Sequence, residues 1–318
     1  MHHLGQILYE RNSNEKLYPA SLTKVLTAIV VMENASLDAK TTVSQTALNS
    51  IEDGYVTSNL KVGEELTVEE LLNILMVSSA NDVAVVLAEY ISGSVDNFCV
   101  LMNNTATKIG CTNSNFVNPN GTHNENHYST AHDLALIGNY SLKFDKLREI
   151  FGKTSYTLEQ DNRTYATTNE MLLSWNKNYY KYVKGMKTGF TTPAGNCLIA
   201  YAEKDNLKLL SVVLNSSTSD NRYLETKMLL DYGFDNFSLR KFANKGDTIQ
   251  TISVKGATRK TKKLNLVLEN DLYITVDNDL DLSSLQADIK IDKKIKAPIE
   301  KGKVLGTLSY TLNRNNLF

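Results

Sequence analysis

A chain of 318 residues exceeds the usual size of one domain, which predicts a large unit and a smaller module. Its 34 Lys and Arg residues are balanced by 35 Asp and Glu residues, so the charge gives no reason to expect nucleic acid as a partner. No stretch is long and apolar enough to span a membrane, and the first residues do not have the pattern of a signal peptide.

The first half of the chain is predicted to be mainly helical. The pattern over Gly5–Glu10 indicates a short strand, and a helix that is apolar around most of its circumference is predicted over Ser21–Glu33. Thr67 and Glu70 have the spacing of a capping box at the start of an amphipathic helix. Another buried helix is predicted over Asp82–Ile91.

Beyond about residue 150 the hydrophobic pattern changes to the period of strands. Three strands are predicted at Tyr180–Met186, Asn196–Ala202 and Leu207–Leu214, and the short turns between them indicate an antiparallel sheet. A helix is then predicted over Ser219–Tyr232, with Gly233 as the C′ glycine that ends it.

A domain boundary is therefore predicted directly after Gly233. Residues 1–233 are assigned to an α/β (α+β) domain with an antiparallel sheet and a helical cluster. Residues 234–318 consist of short alternating segments divided by Gly, Asn and Asp, which predict a small all-β domain, a β-sandwich.

The first candidate for catalysis is Ser21-Leu22-Thr23-Lys24, at the start of the first buried helix. Residues at i and i+3 share a helix face, so the Lys24 amine is placed to act as a base on the Ser21 hydroxyl if burial lowers its pKa. The motif alone is weak, since about one Ser-x-x-Lys is expected by chance in such a chain. Ser174-Trp175-Asn176-Lys177 is a second match, and Ser21 has the alternative role of a helix N-cap.

The second candidate is Ser79-Ala80-Asn81, at the junction of two predicted helices. A hydroxyl and a carboxamide two residues apart are able to face one cleft, the first relaying a proton and the second holding a substrate amide. A simple helix cap is the alternative. Ser219-Asp220-Asn221 has the same spacing but is rejected, because it follows the third motif and lies where a helix N-cap is needed.

The third candidate, Lys187-Thr188-Gly189 at the end of a strand, is the most specific of the three. A cation and a hydroxyl suit a carboxylate, and Gly189 removes the side chain that would block its approach. Chance gives about a tenth of one such match in a chain of this length.

The order Ser-x-x-Lys, Ser-x-Asn, Lys-Thr-Gly resembles the signature of the penicillin-recognising serine enzymes. The stretches around the motifs narrow the resemblance to the low-molecular-mass penicillin-binding D-Ala-D-Ala carboxypeptidases: YPASLTKVLTA, SSANDVA, FVNPNGTHNENHYSTAHDLA, GMKTGFTTPAGNCLIA and ETKMLLDYGFDNF. The resemblance covers nearly the whole chain and implies a penicillin-binding or β-lactamase-like catalytic fold. It also implies a helix and a strand upstream of GQILYE, so the N-terminus is expected to be truncated.

The same resemblance implies three catalytic residues. Ser21 is expected to attack the carbonyl of the D-Ala-D-Ala bond, with Lys24 as the base. Ser79 is expected to pass a proton to the leaving amine, after which water hydrolyses the acyl-enzyme.

Five further residues are implied to bind the substrate. Asn81 is expected to hold the backbone of the peptide, while Lys187 and Thr188 hold its terminal carboxylate beside Gly189. The backbone N–H of Phe190 is expected to complete an oxyanion hole with the N–H of the nucleophile.

The implied substrate is the peptidoglycan stem pentapeptide that ends in D-Ala-D-Ala, and the implied inhibitors are β-lactam antibiotics. No cofactor, metal ion or nucleic acid is implied. The resemblance places the protein outside the cytoplasm, at the outer face of the bacterial cytoplasmic membrane or secreted. Membrane association is expected only through segments that are absent from this chain.

Two alternative functions remain open. A serine β-lactamase shares the motifs but needs a deacylating glutamate, and Glu170 lies too close to Lys187 and lacks the Asn of an ExxLN-like loop. A penicillin-sensing or wall-binding protein would keep the site without turnover. His123, His127 and His132 are interpreted as parts of a polar loop and of helix capping, not as a catalytic base.

Overall fold

The architecture is that of a computed structural model, which describes residues 5–281, 285–292 and 295–312. Two compact units follow each other along the chain, the first ending at Gly233 and the second beginning at Phe234. The first is a mixture of helices and strands, and the second is built from strands.

The helices of the described chain all lie before Phe237. They are α1 (Thr23–Asn34), α2 (Gln45–Asn49), α3 (Val68–Val77), α4 (Asn81–Ser92), α5 (Val95–Ile109), α6 (Ala131–Ser141), α7 (Asp145–Phe151) and α8 (Ser219–Asn236), with 3-10 helices at Ala20–Leu22 and Glu170–Leu172. No single helix among the described residues is long and apolar enough to cross a membrane. Only α4 and α5 taken together reach that length and composition, and a bend of 86° separates them.

The strands of the first unit form one three-stranded sheet and two small ladders. They are β1 (Lys40–Thr42), β2 (Glu65–Thr67), β3 (Ser155–Thr157), β4 (Thr164–Ala166), β5 (Val183–Thr191), β6 (Gly195–Lys204) and β7 (Leu207–Ser216). The sheet has the order β5-β6-β7 with both pairs antiparallel, which confirms the predicted sheet. α6 packs on β6 and β7, and Gly138 allows this approach because a Cβ there would lie 3.1 Å from Leu210.

α1 forms the centre of the first unit, in agreement with its apolar sequence. Every residue from Thr23 to Val31 is buried, and α3, α4, α5 and α6 all contact the helix. Burying one Val, Leu or Ile side chain contributes about 1.5–3 kcal/mol. A helix held by so many buried side chains fixes the position of the residues at its N-terminus.

Two details of the predicted structure are wrong. Residues 5–10 form no strand, since they pair with none of the strands in the described part of the chain, and an unpaired strand is not stable. α8 does not end at Gly233 but continues to Asn236. Gly233 instead allows close packing, because a Cβ there would lie 2.6 Å from Leu209 Cδ1.

The second unit is all β, as predicted. Its strands are β8 (Phe237–Ala243), β9 (Thr248–Ser253), β10 (Lys263–Val267), β11 (Leu272–Asp277), β12 (Leu285–Ile291) and β13 (Gly306–Leu312). They form three antiparallel ladders, β8 with β11, β9 with β10 and β12 with β13. The arrangement of these ladders as a β-sandwich stays a prediction.

The predicted capping box at the start of α3 is present and provides a test of helix stability. The Glu70 N–H donates to Thr67 Oγ1 over 3.2 Å, and the Thr67 N–H donates to Glu70 Oε2 over 2.7 Å. We expect Thr67→Ala to lower the free energy of unfolding by about 1 kcal/mol, because the first turn loses an acceptor. Urea unfolding measures this change. Thr107→Ala, at an exposed position inside α5, is the control, and an equal loss there would contradict the capping explanation.

Candidate active site

Ser21 lies in the turn that leads into α1. It is the middle residue of the 3-10 helix Ala20–Leu22, which continues directly into α1. No side chain caps either helix, so the alternative role of Ser21 as an N-cap is not observed. Ala20 has φ +48°, a conformation that costs a non-glycine residue about 1 kcal/mol or more. Packing around the turn must therefore hold it in place.

Lys24 lies one turn further along the helix, with its side chain completely buried. Its Nζ contacts three oxygens, at 2.8 Å from Ser21 Oγ, 2.8 Å from Asn81 Oδ1 and 2.6 Å from the Asn120 carbonyl. The first two contacts join residues that the sequence motifs place in the site. The third comes from a loop that the motifs do not include.

The environment of Lys24 favours a neutral amine. Burial is the main cause that lowers the pKa of Lys24 well below its ordinary value, and the positive charge of Lys187 adds to it while Asp82 opposes it. The Asp82 carboxylate is itself buried and accepts hydrogen bonds from the N–H and Oγ of Ser58. A neutral amine is able to accept a proton, so Lys24 has the state that a general base requires.

The same contacts fix the direction of the Lys24 lone pair. A neutral amine has two protons and one lone pair, and the Asn120 carbonyl oxygen is able only to accept. Asn81 Oδ1 also accepts, since the Nδ2 of the same amide donates to Val56 O at 2.9 Å. These two oxygens take both amine protons, which leaves the lone pair facing the Ser21 hydroxyl.

Ser79 and Asn81 lie at the junction of α3 and α4. Ser79 is buried and has φ +65°, a region that non-glycine residues adopt rarely and often at functional sites. Asn81 is fixed by two bonds to Val56 O, one from its backbone N–H and one from its side chain. Within the described part of the chain, Lys24 bonds to Asn81 and not to Ser79.

The Lys-Thr-Gly motif lies on β5, which packs against the Ser21 turn. Lys187 is fully buried, and its Nζ donates to Thr188 O at 2.9 Å. Burial, and then the charge of Arg222, lowers the pKa of Lys187 to about 7. Among the described residues, neither Lys187 nor Arg222 is paired with a carboxylate. This side of the site therefore has a positive potential that suits an anionic group.

Gly189 allows β5 to approach Ser21 closely. A Cβ at Gly189 would lie 3.1 Å from Pro19 O and 3.2 Å from both Ala20 Cβ and Ser21 N. The backbone that follows Gly189 thus runs beside the Ser21 N–H, which is the geometry needed for two donors to one oxyanion. Phe190 comes next, with 59% of its surface exposed.

Three residues around the motifs were not predicted as site residues. Arg222 Nη1 donates to Gly189 O at 3.3 Å, and Thr168 Oγ1 lies 2.6 Å from Thr188 Oγ1. Asn120 contributes its backbone carbonyl. None of the three belongs to the three catalytic motifs, although Asn120 lies in one of the stretches that carry the resemblance. A carbonyl contact has no side-chain signature, so the fold is needed to reveal it.

The two rejected motif matches have ordinary positions. Ser174 is exposed, and Lys177 pairs with Asp220 over 2.6 Å. Ser219 opens α8, although Thr218 rather than Ser219 accepts an N–H of the first turn. Both serines are therefore explained by local structure.

The sequence matches two known families in consecutive segments. Residues 2–218 match the family described as D-alanyl-D-alanine carboxypeptidase. Residues 237–318 match the family described as penicillin-binding protein 5, C-terminal domain. Together the two matches cover most of the chain.

Relatives and solved structures agree with these matches. The chain is 34% identical to D-alanyl-D-alanine carboxypeptidase DacF of Bacillus subtilis (strain 168), covering 96% of this chain and 78% of the relative. It is 32% identical to D-alanyl-D-alanine carboxypeptidase DacC of Escherichia coli (strain K12), covering 98% and 78%. Penicillin binding protein 5 from Haemophilus influenzae has a TM-score of 0.81 at 32% identity, covering 99% of this chain and 91% of that structure. A peptidoglycan synthesis regulatory factor (PBP3) from Streptococcus pneumoniae has a TM-score of 0.83 at 28% identity, covering 99% and 90%.

The close approach at Gly189 gives a test of the site geometry. We expect Gly189→Ala to slow the labelling of Ser21 by a fluorescent penicillin by about tenfold or more, because the added methyl displaces β5 from the nucleophile. Labelling followed over time on a gel measures the rate. Gly5→Ala is the control, since a Cβ at Gly5 meets nothing within 4 Å. An unchanged rate in folded Gly189→Ala would show that the spacing is not critical.

Proposed function

Because the chain belongs to the D-alanyl-D-alanine carboxypeptidase family, we propose that Ser21 is the nucleophile that removes the terminal D-alanine from a peptidoglycan pentapeptide. The protein is a serine-type carboxypeptidase and hydrolase of that family. The observation that carries the assignment to Ser21 is the 2.8 Å contact of its Oγ with the buried amine of Lys24.

Acylation begins when the Ser21 hydroxyl donates its proton to the lone pair of Lys24. Oγ bonds to the carbonyl carbon of the D-Ala-D-Ala bond, and the negative charge moves to the carbonyl oxygen. The N–H groups of Ser21 and Phe190 stabilise that oxygen. Ser79 relays the proton from the Lys24 ammonium to the amine nitrogen, the C–N bond breaks and D-alanine leaves. A water molecule then hydrolyses the ester and restores the hydroxyl.

The terminal carboxylate of the substrate binds on the cationic side of the site. Lys187 supplies the charge and Thr188 a hydroxyl donor, while Gly189 leaves room for the peptide beside β5. Asn81 keeps one Nδ2 proton after its bond to Val56, and that proton is free to bind a carbonyl of the substrate. A free carboxylate at the C-terminus is therefore part of what the site recognises.

β-Lactams acylate the same serine in this proposal, since they combine a reactive carbonyl with a carboxylate. We also propose that the protein acts outside the cytoplasm, because peptidoglycan lies there. Attachment to the membrane through segments outside this chain stays a prediction.

Substitution of three serines tests the nucleophile. We expect Ser21→Ala to abolish both labelling by a fluorescent penicillin and release of D-alanine from a Lys-D-Ala-D-Ala peptide, because Ser21 is the one hydroxyl that contacts Lys24 Nζ among the residues that the structure describes. Ser174→Ala and Ser219→Ala are matched controls that retain both activities. Labelling that survives Ser21→Ala would refute the assignment.

The same assays separate the carboxypeptidase from its alternatives. A penicillin-sensing protein is indicated if well-folded protein takes the label but releases no D-alanine. A β-lactamase is indicated if the penicillin label is lost within seconds while the peptide is left intact.

The two buried lysines predict a bell-shaped dependence of kcat/KM on pH. The rising limb reports loss of the Lys24 proton, at a pH below that of an ordinary lysine. The falling limb lies near pH 7, because Lys187, with a pKa of about 7, must keep its proton to attract a carboxylate. D-Alanine release across pH measures both limbs.

A peptide that ends in a carboxamide is the control for the falling limb. This peptide has no charge for Lys187 to attract. We expect it to be turned over more slowly, and its kcat/KM profile to lack the falling limb. A profile for the free carboxylate that stays flat from roughly pH 6 to 9 would contradict the role of Lys187.

A further inference from the structure

The loop that carries Asn120 is docked on α1 by direct hydrogen bonds. Lys24 Nζ donates to the Asn120 carbonyl at 2.6 Å, and Thr27 Oγ1 donates to the Pro119 carbonyl at 2.6 Å. Both donors are buried and lie one turn apart on α1. The position of this loop therefore decides where one of the two acceptors of the Lys24 amine lies.

The loop is rigid within itself. Asn118 Oδ1 accepts the Gly121 N–H at 2.7 Å, and Asn118 Nδ2 donates to Thr122 O at 3.0 Å. Gly121 has φ +82°, and a Cβ there would collide with the Ala20 carbonyl oxygen. A loop braced in this way moves as one piece, so the groups that attach its ends control its position.

His127 provides such an attachment. The Val117 N–H donates to His127 Nδ1 at 3.2 Å, so Nδ1 carries no proton and Nε2 carries one. Nε2 then donates to Thr23 Oγ1 at 2.8 Å. The ring is only 2% exposed and thus bridges the start of the loop to the residue next to Lys24.

The neutral ring is maintained by its surroundings. Burial is the main cause that lowers the pKa of His127 to about 4, and electrostatic interactions with His123 and Lys24 act in the same direction. Phe116 packs edge-on against the ring, with 5.5 Å between centroids. Near neutral pH, Nδ1 therefore keeps the lone pair that holds Val117.

On the basis of the proposed function, we propose that His127 is a positioning residue, whose bridge between Val117 and Thr23 holds the Asn120 carbonyl on Lys24 and so directs the Lys24 lone pair at Ser21. The ring contacts neither Ser21 nor the substrate in this role. Its effect passes through the amine, because an amine that loses one fixed acceptor is free to rotate away from the hydroxyl. Misplacement of a reacting group by about 1 Å is enough to slow a reaction about a hundredfold.

Two substitutions of His127 test the proposal. His127→Leu removes both hydrogen bonds at similar size, whereas His127→Gln keeps one acceptor and one donor. We expect the Leu variant to be labelled by a fluorescent penicillin about tenfold more slowly or worse at pH 7, and the Gln variant within about threefold of the wild type. His132→Gln, at the partly exposed start of α6, is the control and is expected to have no effect.

The pH dependence of labelling distinguishes positioning from a purely structural role. In His127→Leu we expect the rising limb to move to higher pH by about one unit, because a loosened Lys24 gains water and its pKa rises. A folded Leu variant that is labelled at the wild-type rate would overturn the proposal. A Leu variant that is labelled slowly but has its rising limb at the wild-type pH would also overturn it.

Thr23 provides the same test from the other end of the bridge if His127→Leu does not fold. Thr23→Val removes the acceptor for Nε2 at almost unchanged volume, and Thr23→Ser keeps it. We expect only the Val variant to be labelled slowly and to have its rising limb moved to higher pH. Equal labelling rates in the two variants would refute the role of the bridge. A wild-type protein that takes no label at all would instead refute the proposed function.

Discussion

The burial of one amine is the constraint on which the catalytic unit depends. An ammonium ion costs several kcal/mol to bury, and this cost exceeds the opposing effect of Asp82, so the completely buried Lys24 is more stable without its extra proton. A neutral amine surrounded by oxygens that only accept has one remaining partner that is able to donate, the Ser21 hydroxyl. In the proposed mechanism, the packing of α1 therefore supplies the base, and the contacts of the Lys24 side chain set the direction of proton transfer. The burial that stabilises the core around α1 is therefore also the main cause that lowers the pKa of Lys24.

Three basic side chains near the site form a series. Asp82 acts on Lys24, but among the described residues neither Lys187 nor Arg222 is paired with a carboxylate. Arg222 lowers the pKa of Lys187, and Lys187 in turn lowers the pKa of Lys24. A substrate that brings its own carboxylate supplies the missing negative charge beside Lys187, the member of the series that lies on β5. Binding then favours a charged Lys187 while Lys24 stays buried and neutral. In the proposed mechanism, recognition of a free C-terminus and activation of the nucleophile are linked in this way through one electrostatic environment.

The sequence predicts the parts of this site that depend on local pattern. The order of the motifs places Ser21, Lys24 and Asn81 together, and the apolar run after Ser21 predicts the buried helix that lowers the pKa of the lysine. Sequence pattern does not reveal contacts made by the backbone or by distant segments. Examples are the bond from Lys24 to the Asn120 carbonyl and the bond from the Arg222 guanidinium to the Gly189 carbonyl on β5. The strand predicted over residues 5–10 is not observed for a related reason, since a strand depends on a partner that no local pattern specifies. Gly233 shows that a glycine required for close packing is indistinguishable in sequence from one that ends a helix.

The irregular backbone of the site is stable only because regular structure surrounds it. Ala20 and Ser79 both have positive φ, at a cost of about 1–3 kcal/mol each, and they precede two of the helices that form the core. The buried faces of α1 and α4 are large enough to offset that cost. A straight helical start would put the Ser21 and Ser79 side chains in ordinary helical directions. The strained turns instead bring a hydroxyl and an amide from separate helices to one amine. His127 acts in a similar way on the loop that is docked on α1, because a single buried ring holds an irregular segment against a regular helix.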